Sequence, residues 1–443
     1  LIARSWPRPR GLETMPTFVR ELVEDLHDQR RALSLGSLSL AAVLAADAAS
    51  LSLLELFDWM NVDPAFEWGH VAVTGLWSLV ALALLSVGLA RGQQLLEVGG
   101  PVVLGGTIAS FAFFTVPELD HVSGWSGLAL AGVCAAAALI HGLLSGRLPA
   151  VPAAAVAFAA VFSAFASFQL LSEDLHGYGL LAAASAHVVV AAAVWRRRDL
   201  ASCFWIAGAF LGFGAAVVLL DGTWFVLALA LGGAAAAGLG RILPEPRLWL
   251  TSLTLTLVAG AYTLVELAGP GDLVYASRVP ADGVPALLLV GAALAALLLS
   301  LRRFDPADEV DRLVEGSVDD LRRGLVWTLP ALGLYAASLS ILGITEALST
   351  AGENTEFQRG HTAVSAFWGV VAFTALLAGL RRGLRVLRLA ALGLFALALG
   401  KLFLYDLSTL SSVTRALSFL AVGAVLLLAG FFYQRLSSEV ASS

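Results

Sequence analysis

The sequence predicts an all-α fold, a polytopic transmembrane helix bundle of about 14 spans, and three observations predict it. Of 443 residues, 58% are hydrophobic and only 14% charged. Soluble domains are about 25% charged, so polar side chains cannot cover a globule of this size. The apolar runs are about 20 residues long, enough to cross a bilayer as helices, whereas barrel strands alternate over about 10. Finally, the basic residues gather on alternate connections, as the positive-inside rule requires of a correct span count.

The elements follow in order. Residues 1–33 form a charged, amphipathic arm, expected to stay attached on the cytoplasmic side. The chain opens on Leu1, so its start is expected at Met15 or upstream. A first four-helix repeat, 34–144, holds spans at 34–56, 70–90, 98–116 and 124–144. Six central helices, 149–301, run at 149–171, 178–195, 200–220, 223–240, 248–268 and 284–301. The spans at 178–195 and 223–240 are the shortest. An interfacial helix is expected at 302–324, with apolar residues on one face (Val310, Leu313, Val314, Val318, Leu321) and Arg302, Arg303, Arg322 and Arg323 beside them. The second four-helix repeat, 325–436, holds spans at 325–345, 362–380, 384–404 and 413–433. At this depth each backbone must satisfy its own hydrogen bonds, so every span is a helix.

With that count, 23 of the 27 Lys and Arg fall on the side of the termini. The other four are Arg278, Arg359, Lys401 and Arg415, while the acidic residues other than Asp47 divide 16 to 16. Both termini are therefore expected inside, in a bacterial inner membrane, with the cytoplasmic arginines on anionic lipid head groups. The net charge of −6 argues against a nucleic-acid partner. Cys134 and Cys203 both sit in apolar runs and offer no disulfide framework. Lys401 is the only lysine among 27 basic residues.

A shift of 291 residues aligns 18–92 with 309–383 without a gap, with 24 identities in 75 positions. The match is clearest at HVAVTGLWSLVALALLSVGLARG against HTAVSAFWGVVAFTALLAGLRRG. Glu55 aligns with Glu346, Gly69 with Gly360, His70 with His361 and Trp77 with Trp368. An even number of helices separates the copies, so they are expected to be parallel repeats.

The residues that could carry chemistry gather at the outer side. Glu55 and Glu346 end the first helix of each copy, and His70 and His361 open the return helices. Glu118 with His121, and Glu173 with His176, occupy related outer turns, and Glu266 repeats the pattern near Asp282. A carboxylate beside an imidazole can relay protons, bind a metal or hold a hydroxyl; the plainer reading is that both are interfacial residues bonding loop backbone. HExxH and CxxC are absent, and no metal or cofactor is expected. In the last hairpin, Lys401, Asp406 and Arg415 stand where the first copy has Ser110, Thr115 and Gly124. Charges at bilayer depth are costly, so they are functional candidates, able to clamp a phosphate or carboxylate. The alternative is an Asp406–Arg415 bridge closing the hairpin, with Lys401 snorkelling outward. Asp47 and His187, each near the middle of a span, are candidates for a proton relay or are ordinary buried polar residues.

Residues 357–436 resemble a bacterial family of predicted membrane proteins, domain of unknown function 2339. The resemblance rests on His361 with AVSAFWGVVAF, the basic turn RRGLRVLRLA, and GKLFLYDLSTLSSVTRALSFLAVGAVLLLAGFFYQRL. Family members are usually longer, which makes this chain look like a short version. The family implies no activity, so Lys401, Asp406 and Arg415 carry over only as pattern positions. Three functions remain open: a transporter or binder of a small anionic or lipidic ligand at the outer face, a membrane enzyme on a lipid-linked substrate using Glu55, Asp58, Asp63 and Glu67, or a scaffold docking partners on the 302–324 helix. The first is preferred, because the parallel repeats, the intramembrane Asp47 and His187, and the outer cationic cluster all suit it.

Overall fold

The computed structural model describes residues 16, 17, 19, 44–145, 150–243, 245–273, 282–301, 309–348 and 353–401, and eleven residues between 412 and 430. Among them the ordered elements are all helical: α1 (44–59), α2 (Ala65–Arg91), α3 (Gln94–Ser110), α4 (Asp120–Leu144), α5 (Ala150–Leu170), α6 (His176–Ala193), α7 (Arg198–Leu219), α8 (Gly222–Ile242), α9 (Pro246–Tyr262), α10 (Gly283–Leu301), α11 (Glu309–Leu348), α12 (Glu353–Arg381) and α13 (Arg385–Lys401). Eleven of the described helices, α2 to α12, are long and apolar enough to cross a membrane. The described parts of the expected spans at 34–56, 384–404 and 413–433 are helical, in α1, in α13 and between 412 and 430, but these segments are not among the eleven. Large apolar side chains such as Phe113, Ile206, Phe210, Leu250 and Leu288 are exposed on the helix flanks. Water would penalise that arrangement, whereas acyl chains do not.

The chain divides into two compact units, Leu1–Val218 and Leu219–Ser443. The boundary falls inside the six central helices that sequence periodicity treats as one segment. In the N-terminal unit, α2 packs on α3 and α4, and α4 packs on α5. Its core joins Phe111, Leu130, Cys134, Ala159 and Phe162, with Phe111 edge-on to Phe162 and Phe165 at 5.3 Å. Phe111 belongs to a π-helical turn, Phe111–Thr115, that widens the end of α3; a second one, Thr263–Leu267, ends α9. In the C-terminal unit, α8 packs on α9 and α10, and α10 on α11. Its core gathers Ala268, Leu287, Ala336, Leu339, Leu342 and Val364, and a second cluster gathers Ala372, Leu376, Ala391 and Phe395.

The stretch expected as a separate in-plane helix is different in kind. From residue 309 onward it runs without a break into the span, as the 40-residue α11. At 1.5 Å per residue this is about 60 Å of helix, twice the hydrocarbon thickness. Gly316, Gly324 and Pro330 all lie within it, and none of them ends the helix. Arg322 holds its charged part in place, with Nη2 donating to the Leu301 carbonyl at the end of α10 (2.6 Å) and Nη1 to Asp319 (2.9 Å).

Two hairpins share their detail. Gly92 and Gly383 both take a left-handed conformation, φ 63° and 67°, which a side chain would resist. Around them Gln93 N–H donates to Gly88 O and Leu384 N–H to Gly379 O, both at 2.9 Å. A Cβ on Gly88 would fall on the backbone nitrogen of Glu97, and one on Gly379 would lie 3.0 Å from that of Arg388. At the far end, a Cβ on Gly69 would meet Leu54, and one on Gly360 would meet Thr345, at 2.7 Å in each case. All of these residues correspond under the 291-residue shift.

Candidate functional site

The far end of the α11–α12–α13 group is where sequence placed its candidates. Thr345 abuts Gly360, so Glu346 and His361, one residue further on each helix, open the same end of the hairpin. His361 is fully buried and Glu346 half-buried. Lys401, the last residue of α13, turns inward across α12. Its Nζ donates to the His361 carbonyl at 3.2 Å and to Ser365 Oγ at 2.8 Å. An ammonium at a span end needs acceptors, and a carbonyl and a hydroxyl are among them. These two bonds tie the end of α13 to α12. Asp406 and Arg415 lie outside the described residues. One turn deeper, Trp368 Nε1 donates to Ser338 Oγ at 2.9 Å, pinning α12 to α11.

The corresponding end of α1, α2 and α3 is built alike but left open. Glu55 is exposed at the end of α1. His70 Nδ1 donates to the Phe66 carbonyl at 2.7 Å, and its ring packs between Phe66 (4.3 Å) and Phe114 (5.1 Å). Trp77 Nε1 donates to Ser50 Oγ at 3.0 Å, one turn from the position equivalent to Ser338. Thr74, the counterpart of Ser365, donates its hydroxyl to the His70 carbonyl at 3.0 Å. Beside it lies a cavity of about 300 Å³ between α2 and α3, lined by Val73, Thr74, Trp77, Val103, Gly106, Thr107 and Ser110. A second cavity, of about 310 Å³, lies among α2, α3, α4 and α5; Ala81, Leu85, Gly105, Leu104, Cys134 and Phe158 are among its apolar walls.

The remaining candidates stay apart. Asp47 is exposed on α1, whereas His187 is buried on α6, its Nδ1 donating to Ala183 O at 2.9 Å and its ring 5.9 Å from Phe204. No hydrogen bond joins these two among the described residues. His176 Nε2 donates to Leu171 O at 3.0 Å, the loop-backbone role that the plainer reading assigns. Among the described residues no three His, Cys, Asp or Glu converge as a metal site. The side chains of Glu118 and His121 lie outside the described residues.

Sequence reasoning missed Ser365 and Thr74, which decide what surrounds Lys401 and what lines its empty counterpart. The signal was present: both are hydroxyl residues at one aligned position, but an identity count passes over a Ser–Thr pair.

Compared with known families, residues 247–436 match the model of a family described as Predicted membrane protein (DUF2339). The match begins well upstream of the 357–436 stretch and takes in α9 to α11. No curated protein and no solved structure matches the chain.

Proposed function

We propose that this chain is a multi-pass protein of the bacterial inner membrane, both termini inside, that binds or moves a small lipidic ligand. Its two related hairpin groups are read as copies of one ancestral unit. The recurring glycine contacts, the paired left-handed turns and the repeated Trp–Ser bond support that reading. The observation that carries the ligand class is the apolar cavity of about 310 Å³ among α2 to α5. It matches the small end of ligand pockets, roughly 300–1,000 Å³. It offers little to a hydrated anion, whose desolvation its walls cannot repay. An acyl chain gains no hydrophobic driving force by leaving lipid for such a cavity, so shape and packing must select it.

Gly105 supplies the test, because a Cβ there would meet nothing within 4 Å and a larger side chain would project into open space. Gly105→Leu should leave the protein folded and reduce the lipid retained in native mass spectra at least several-fold. Unchanged retention would remove the lipidic reading. The scaffold reading keeps one favourable observation, the continuous charged helix at the start of α11. Among the described residues, Glu55, Asp58, Asp63 and Glu67 form no group of three that could hold a metal ion.

A further inference from the structure

We infer that the cavity between α2 and α3 is a socket for a primary ammonium group, the open counterpart of the place that Lys401 fills between α12 and α13. This rests on reading the two hairpins as copies in one register. The register holds at both ends of the hairpin, from the Gly69–Leu54 and Gly360–Thr345 contacts to the Gly88–Glu97 and Gly379–Arg388 crossings. Under it Lys401 corresponds to Ser110, Ser365 to Thr74 and His361 to His70. In the C-terminal copy a four-carbon amine reaches from the Lys401 position to the His361 carbonyl and Ser365 Oγ. In the N-terminal copy the long arm is absent, the hydroxyl acceptor is retained, and a cavity of about 300 Å³ lies between them.

The polarity of the lining chooses the ligand's sign. Thr74 Oγ1 donates its proton to the His70 carbonyl and Thr107 Oγ1 donates to the Val103 carbonyl, at 3.0 and 2.9 Å. With those protons committed to helix backbone, both hydroxyls present lone pairs to the cavity. Trp77 also commits its N–H, to Ser50, and adds an aromatic wall, which attracts cations. The remaining polar lining residue, Ser110, carries a hydroxyl that can turn to accept, so the lining can meet an N–H cation with acceptors throughout. A primary ammonium on a short alkyl arm satisfies them as Lys401 does; a quaternary ammonium has no N–H to give. Two sources share this chemistry, a free alkylamine and the head group of an aminophospholipid.

The experiment uses the full chain, with Cys134 and Cys203 replaced by alanine. Purified protein is heated in detergent with n-butylammonium, n-butanol or tetramethylammonium. A melting temperature that rises with butylammonium concentration and with neither control supports the socket. Thr74→Val should weaken the response about tenfold. Ser110→Lys, which builds the amine in, should raise the melting temperature in the absence of ligand and abolish the response. Equal responses to all three compounds, or a full response in Ser110→Lys, overturn the proposal. Nanodiscs separate the sources: retention of phosphatidylethanolamine over phosphatidylcholine, lost in Ser110→Lys, identifies the lipid, and a butylammonium response without that preference identifies the free amine. A bifunctional thiol reagent with a spacer of about a lysine's length should join Thr74→Cys to Ser110→Cys and, equally, Ser365→Cys to Lys401→Cys. A link in only one hairpin overturns the two-copy reading and the socket together; links in both without amine binding overturn the socket alone.

Discussion

At the scale of single residues, glycine separates structural from spare positions. Gly88 and Gly379 sit where two backbones touch; a methyl group on Gly88 has only main-chain atoms to displace, whereas one on Gly379 also meets the Arg388 side chain. Gly88→Ala should destabilise the protein by about 3 kcal/mol or more, the upper range of overpacking, since no rotamer change relieves it. Gly105→Ala should be neutral or stabilising by up to about 1 kcal/mol, because its Cβ enters open space while helix propensity improves. Thermal unfolding in detergent compares the two directly. Lys401 shows the same dependence on surroundings. Lys401→Met keeps the length of the arm but removes two hydrogen bonds, and should cost about 1–2 kcal/mol, read as a lower melting temperature. Its candidacy was legible in sequence, since a lone lysine near a span end is conspicuous. That its amine turns onto His361 and Ser365 was not, because that depends on which face of α13 meets α12.

At the scale of elements, helix positions were legible and helix continuity was not. The predicted spans from 70–90 to 362–380 each fall on a described helix, since the length of an apolar run reports the bilayer crossing directly. The charged stretch before 325 reads as a separate element, because its composition changes abruptly where the span begins. The backbone of α11 ignores that change: Arg, Asp, Glu and Leu are all adequate helix formers, so hydrogen bonding continues across it. Arg322 is the element's anchor. Arg322→Ala should loosen the start of α11, raising amide hydrogen exchange over residues 318–325, with a stability loss of about 1–2 kcal/mol from the bond to Leu301. Unchanged exchange would show that the helix stands without the anchor.

At the scale of the whole molecule, the division at Val218 was hidden because the hydropathy of the central helices is uniform across it. The proposed orientation makes its own prediction. With Cys134 and Cys203 replaced by alanine, single cysteines at the exposed Arg197 and Glu55 should react with a membrane-impermeant thiol reagent from opposite sides, Arg197→Cys only after the cells are opened. Labelling of both from one side would cancel the orientation and the outer location of every proposed site.

The sequence by itself determined that this chain is helical and membrane-embedded and where its long apolar helices run. Those properties follow from the length and composition of apolar runs, which lie along the chain. Only the tertiary structure decided that the charged stretch continues into α11, that the Lys401 amine meets His361 and Ser365, and that a cavity lies between α2 and α3. In lipid every face of a span is apolar, so hydropathy does not mark the face that meets a neighbour. Close approach at small residues and a few hydrogen bonds between helices make that choice, and they exist only once the helices are packed.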